Sequence, residues 1–459
     1  MLQDNQDAAI DPSLLEFITG HGTQINHIAA AFVPHGGYRG IIATENIPNG
    51  TCVLRVPYKL LLSCHTARND PELVAVGATT SLPSLALFAL HLLHEIHINK
   101  ERSFWAPYLA SLPTHYTTAM HLPPNTDPLL ATIPYAHRRI EHARSAARDL
   151  HQTALPYLQR LHVPTDESTW LWALSTLSSR TMYLDDESAG CLTPFGDLFN
   201  YMPPPPPYTP QLELEEEDAH PLQPQVEWGD GCVDPGTKDY CLYARRDYKK
   251  GEEIFLCYGR YTNLELFEHY GMVLTDNAHN TAVLPLASFP PTVQAYIRSD
   301  SIHASHEAII HANGNPSWEL LRALRLGGLC ASERKLFGWK AVAKDAKVND
   351  SSEVWAMETL IGVCKETSMR AQMHVEQGGG GGRGGASLCS RDVEADREIL
   401  EVAMAWKQGY VRCLTVCIEL CTQVLEQQRQ QRQPNARGGG LSVSHAAHPH
   451  IRQPKFGRK

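Results

Sequence analysis

The chain has 459 residues, 43% of them hydrophobic and 20% charged, so it carries enough apolar material for packed cores. Its length exceeds the roughly 250–300 residues that one core usually serves, which predicts two domains and excludes a disulfide mini-protein or a mostly disordered chain. Forty Lys and Arg against 50 Asp and Glu give a formal charge of −10, which argues against a polyphosphate-binding surface and hence against nucleic acid as a partner.

The opening segment MLQDNQDAAIDPSLLEF has three Asp before any Lys or Arg, unlike a secretory signal or an Arg-rich transit peptide. No apolar stretch approaches the roughly 18 residues of a membrane span, so a soluble, membrane-free protein of the cytosol or nucleus is expected. Between residues 41 and 56, the runs IIAT and CVLRV flank Pro48-Asn49-Gly50, which predicts a β-hairpin. Leu85, Phe88, Ala89, Leu92, Leu93 and Ile96 then recur at helical spacing, and residues 126–161 and 168–184 also favour helix. Strand character returns at 226–228, 241–244 and 254–256, with Lys249-Lys250-Gly251 as the turn between the last two.

Beyond Gly271 the pattern is helical. Val354, Met357, Ile361 and Cys364 share a face, and Ile399, Ala403, Trp406, Tyr410, Cys413, Cys417 and Cys421 belong to a long apolar stripe. The fold class read from this order is α+β: a β-rich part split by helices, followed by an all-α C-terminal domain. The proline run 203–207 with the acidic run 213–218, the glycine tract 378–385 and the tail from about 427 read as loops, linker and unstructured terminus.

Twelve cysteines without a CxxC pair predict reduced thiols. His91, His94 and His97 are spaced by three, but no HExxH motif or carboxylate of suitable register accompanies them, so surface or partly buried histidines are expected. Cys413, Cys417 and Cys421 lie one above another on a helix, and core packing explains them better than a metal. Neither a GxxxxGK[ST] loop nor a GxSxG elbow is present, so nucleotide hydrolysis and esterase chemistry have no support.

Three distant segments carry the chemistry: GGYRGIIATENIPNGTCVLRVP from Gly36, LTPFGDLFNYMP from Leu192 and RRDYKKGEEIFLCYGRYTNLELFEHYGM from Arg245. Together they resemble the SET-domain protein methyltransferases, in particular the branch typified by Rubisco large-subunit lysine methyltransferase. SFWAPYLASLP from Ser103 and LSSRTMYL from Leu177 resemble the same branch. The resemblance implies a SET domain over 20–272, interrupted by a helical insertion at about 82–190 and a Pro/acidic loop at about 203–224. It also implies a helical substrate-binding domain over 285–427, containing the glycine linker, and a disordered tail over 428–459.

The implied activity is transfer of a methyl group from S-adenosylmethionine to a lysine of a protein substrate docked by the C-terminal domain, by a monomer and without a metal. Tyr258 fills the catalytic-tyrosine position of the resemblance. Arg39, Gly40, Ile41, Arg180, Asp197, Asn200, Tyr201 and Tyr270 fall at its cofactor positions, with Asn200 facing the cofactor's ammonium and Arg180 its carboxylate. Thr262 and Glu265 form a T-x-x-E capping box and Gly271 can end the helix, which would fix Tyr270 relative to Tyr258. The chain departs from the pattern where Tyr201 replaces a His, and where Tyr38 stands at the first glycine of Gly-x-Gly with Gly36 and Gly37 displaced upstream. No post-SET zinc cluster is expected, because residues 259–329 contain no cysteine. The motifs do not separate a lysine from a histidine acceptor, nor a working enzyme from a SET-fold interaction module.

Overall fold

A computed structural model describes residues 10–33, 38–123, 130–184, 187–205, 231–299, 307–342, 348–373 and 390–432. The glycines at 36 and 37, the strand expected at 226–228, the acidic run, the glycine tract and the tail beyond 432 lie outside the described residues.

Short antiparallel strands build the N-terminal part: β1 (Gln24–Ile25), β2 (Ile28–Phe32), β3 (Arg39–Ala43), β4 (Cys52–Val56), β5 (Leu62–Ser63), β6 (Thr181–Leu184), β7 (Glu187–Leu192), β8 (Cys232–Val233) and β9 (Tyr240–Tyr243). They form sheets of order β1-β4-β9-β8, β2-β3 and β5-β7-β6. The chain does reverse at Asn49-Gly50, where Gly50 takes φ +83°, but β3 and β4 are not a hairpin. The edges of β3 are taken by β2 and by residues 252–254, so β4 bonds to β1 and β9 instead.

Helices fill the interval between β5 and β6. The Ser84–His94 helix buries every residue from Ala86 to His94, the mark of a helix inside a core rather than on its surface. The Glu167–Arg180 helix is capped by Asp166, whose carboxylate accepts the Thr169 N–H at 2.8 Å. It ends at Arg180, earlier than the periodicity suggested, because the chain turns into β6, where Thr181, Met182 and Leu184 pair with β7.

The C-terminal part is helical apart from one antiparallel pair, β10 (Thr281–Leu284) with β11 (Ala308–His311). The apolar stripe becomes the buried face of the Ser390–Arg432 helix, where Ile399, Ala403, Trp406, Tyr410, Cys413, Cys417 and Cys421 are buried. The cysteines in that stripe are free thiols packed in the core. This second core also takes Ala119, Ile133, Ala136 and Ile140 from the inserted helices and Leu264 and Phe267 from the segment after Tyr258. Among the described residues no helix is long and apolar enough to cross a membrane.

Candidate active site

Backbone pairing brings the three motif segments together. Ile254 N–H donates to Ile41 O at 2.8 Å and Ala43 N–H to Glu252 O at 2.9 Å, so residues 252–254 line up along β3. Further along the same segment, Leu256 N–H donates to Asn200 O and Met202 N–H to Leu256 O, both at 2.9 Å, a parallel bridge centred on Tyr201. The extended segment ending at Tyr258 therefore lies between the glycine segment and the Asn-Tyr segment.

At the first junction, Gly40 leaves room for side chains from the other two segments. A Cβ there would sit 2.4 Å from Glu253 Oε1 and 2.8 Å from Asn200 Nδ2. The Asn200 amide donates to Arg39 O at 3.0 Å and to Glu253 Oε1 at 2.7 Å, and Tyr38 Oη donates to Glu253 Oε2 at 3.3 Å. Burial, with Glu253 beside it, raises the Tyr38 hydroxyl pKa, so Tyr38 remains a donor. Ile41 turns its side chain fully into the core and offers the site backbone alone.

Arg180 comes from the end of the Glu167–Arg180 helix. Its Nη1 donates to Asp197 Oδ2 at 2.9 Å, and Tyr108 Oη donates to the same oxygen at 3.1 Å. Burial works against the guanidinium's charge, but Asp197 holds its pKa above the ordinary value. Asp197, 3% exposed, is thus engaged by protein groups. Arg180 Nε, in contrast, is buried without a hydrogen-bond partner, and the buried Tyr116 hydroxyl lies beside the same guanidinium and Thr176.

Four tyrosines meet at the second junction. Tyr258 stacks on Tyr270 with ring centres 5.5 Å apart and planes at 25°, and Tyr201 lies 5.5 Å from Tyr258 on another side. Tyr261 touches both Tyr201 and Tyr270, at 6.0 and 5.5 Å. Tyr258 Oη donates to Phe199 O, while Tyr201 Oη donates to Gly259 O at 2.7 Å and so ties down the turn after Tyr258. Burial pushes the Tyr201 hydroxyl pKa up to about 12 and raises that of Tyr270 further, so both rings stay neutral.

Tyr270 is placed by the Asn263–Tyr270 helix, whose Thr262/Glu265 capping box forms and whose Gly271 cap adopts φ +67°. Thr117 Oγ1 and Ser178 Oγ, both from the insertion, donate to Gly271 O and His269 O at 2.7 Å and hold that helix end. Glu253, Tyr261, Tyr108 and Tyr116 were not singled out in the sequence. Glu253 and Tyr261 lie within the third motif, where their proximity to Asn200 and Tyr258 could have suggested them. Tyr108 lies within the segment SFWAPYLASLP, while Tyr116 carries no local signal.

A family model described as SET domain matches residues 38–259. Protein SET DOMAIN GROUP 40 of Arabidopsis thaliana is 32% identical over 342 residues, covering 72% of this chain and 68% of that protein. The chain belongs to the SET-domain family. SET domain-containing protein 4 of Homo sapiens is 26% identical, over 76% of this chain and 79% of its own length. The Actin-histidine N-methyltransferase of Gallus gallus is 24% identical over 67% of this chain and 48% of its own. Among solved structures, the SET domain of LSMT bound to lysine and AdoHcy superposes with a TM-score of 0.62 at 17% identity, over 94% of this chain and 98% of that one. Rubisco LSMT bound to AdoMet superposes at 0.60 with 17% identity and the same coverage. These likenesses extend the common fold beyond the SET domain proper into the helical C-terminal part.

Proposed function

We propose that this SET-domain protein is a protein N-methyltransferase that uses S-adenosylmethionine and acts on lysine ε-amines. The observation that carries the reading is the adjacency of Asn200 and Tyr201. One holds the polar group over Gly40 and the other packs against Tyr258, so the groups read as a cofactor cradle and those read as an aromatic lysine site lie side by side.

The residues present fit the cofactor. Arg180 Nε is a buried donor without a partner and the Tyr116 hydroxyl lies beside it, as a cofactor carboxylate requires, and Glu253 with Asn200 sets negative and polar groups where an ammonium would lie. Gly40 has no side chain to displace Asn200 and Glu253 from that position. Bound S-adenosylmethionine would supply a methyl group already activated as a sulfonium, so what remains for the protein is alignment and exclusion of water. Tyr258 Oη, fixed by Phe199 O, sets an oxygen near the transfer point, where weak C–H···O contacts favour a methyl carrying partial positive charge. Tyr201, Tyr261 and Tyr270 line the channel, pack on the methylenes of a lysine and attract its tip by cation–π interaction. Burial there lowers a lysine pKa and yields the neutral amine that attacks.

The protein substrate docks, in this reading, along the groove of about 1420 Å³ bounded by Arg138, Ala146, His269, Leu286, Glu307 and Arg370. His269, from the helix that carries Tyr270, lines this groove and brings it close to the tyrosine cluster. The free thiols of the described residues fit a reducing cytosolic or nuclear setting.

Calorimetric titration with S-adenosylmethionine and S-adenosylhomocysteine tests the cradle, with Asn200→Ala as the variant expected to weaken binding. Labelled cofactor supplied to a substrate-depleted extract, followed by peptide mapping, identifies the acceptor. A mark on histidine would replace the lysine assignment, and absence of cofactor binding by the folded protein would leave an interaction module.

A further inference from the structure

Of the three histidines set aside in the sequence, His97 is partly buried as expected, but His91 and His94 are not. His91 and His94 are 2% and 1% exposed, not at the surface, and carboxylates reach this pair both from Asp70 and from Glu95 on their own helical segment. Asp70 caps the Pro71–Ala75 helix, with Oδ1 accepting the N–H of Glu72 at 2.8 Å and of Leu73 at 3.2 Å. That leaves Oδ2 turned to His91 Nδ1 at 3.4 Å and His94 Nδ1 at 3.5 Å. Glu95 lies four residues after His91, hence on the same helix face, and opens the π-helical turn Glu95–Asn99.

Two features set this cluster apart from an ordinary buried ion pair. Both ring nitrogens of His91 and Nδ1 of His94 are buried without a hydrogen-bond partner. Glu95, 5% exposed, accepts from Asn99 Nδ2 at 3.0 Å and has no cation beside it among the described residues. A buried carboxylate held only by an amide and an imidazole whose sole polar contact is a long one to Asp70 are each costly, and one bound cation satisfies both. Donor atoms of Asp70, His91 and Glu95 all lie within 4.8 Å of one another. The 3.4 Å between Asp70 Oδ2 and His91 Nδ1 matches the edge of a tetrahedron whose metal–ligand bonds are about 2.0–2.1 Å.

We propose that Asp70, His91 and Glu95 bind a divalent transition-metal cation of the zinc type, which clamps the Pro71–Ala75 helix to the Ser84–His94 helix inside the insertion. The ligand set of one imidazole and two carboxylates suits zinc and neighbouring first-row ions rather than a thiolate-seeking metal. His94, between Asp70 Oδ2 and Glu72 Oε2 at 3.1 Å, orients Asp70 and is a positioning residue. The site is structural, is independent of the methyl-transfer reading, and reverses the expectation of a metal-free protein.

The test uses the full chain, stripped with chelator, reloaded with zinc, desalted and assayed for metal by plasma mass spectrometry. On the order of one zinc per chain is expected in the parent and in His97→Ala, and loss of it in Glu95→Gln and Asp70→Asn. Both substitutions preserve shape, and Asn retains the helix cap, so the variants should fold; far-UV circular dichroism checks this. His94→Ala should weaken zinc affinity by roughly 10–100-fold. Cobalt loading should give a visible spectrum without thiolate charge-transfer bands. Zinc below about a tenth of an ion per chain in the parent, full retention in the folded Glu95→Gln and Asp70→Asn variants, or thiolate bands from cobalt would each overturn the proposal.

Discussion

Replacing Gly40 by Ala isolates the cofactor cradle. Gly40 has an ordinary strand backbone, so alanine brings no conformational penalty, but its methyl meets Glu253 Oε1 at 2.4 Å and Asn200 Nδ2 at 2.8 Å. Both groups must retreat, and the Asn200 amide then loses a bond to a carbonyl and a bond to a carboxylate. Those are worth about 0.5–1.5 and 1.5–3 kcal/mol respectively. If about half of the total is lost to the bound state, about 1–2.2 kcal/mol at ~1.4 kcal/mol per decade lowers affinity roughly 5–40-fold. Crowding alone should cost about 1–3 kcal/mol of stability. Titration calorimetry with S-adenosylhomocysteine reads the affinity, and Gly20→Ala, where a Cβ meets nothing within 4 Å, serves as control. An unchanged dissociation constant in a folded Gly40→Ala protein would refute the placement of the cofactor over this glycine.

Tyr258→Phe removes the hydroxyl bonded to Phe199 O and should slow turnover at least about tenfold while cofactor affinity holds, as measured by single-turnover transfer beside calorimetry. Arg180→Leu strands the 3% exposed Asp197 carboxylate, so urea unfolding should show a loss of about 3–5 kcal/mol. His121, whose Nε2 meets Ser175 Oγ at 2.9 Å, has its pKa held down by burial to about 4, against 6.5 when unfolded. Between these values the unfolded chain binds the extra proton, so acidification from pH 6.5 to 4 should cost up to about 3 kcal/mol; His121→Gln should flatten that part of the thermal-stability profile.

Local signals were legible where a short segment decides its own conformation. The Thr262/Glu265 box and Gly271 gave the helix that carries Tyr270, and the stripe from Ile399 to Cys421 gave a buried helix face. Pairing was not legible, because the hydrogen-bonding edges of β3 are claimed by residues near it and by others more than 200 positions away. Shorter separations were enough to hide Glu253 behind Asn200, 53 residues away, and Asp70 behind His91, since a partner delivered by another element leaves no spacing rule to read. Arg180 was read as a partner for the cofactor carboxylate alone, but its bond to Asp197 makes the two side chains one unit.

The sharing of Leu264 and Phe267 with the C-terminal core, together with Thr117 and Ser178 gripping the end of the same helix, has an evolutionary consequence. The part of the chain that would choose a substrate cannot be exchanged like a cassette by recombination near residue 272. Such a graft would have to bring matching partners for the Asn263–Tyr270 helix and for Ile133 and Ile140, or Tyr270 would lose its seat beside Tyr258. New specificity in this lineage is therefore expected to arise by substitutions along the groove rather than by swapping the helical half.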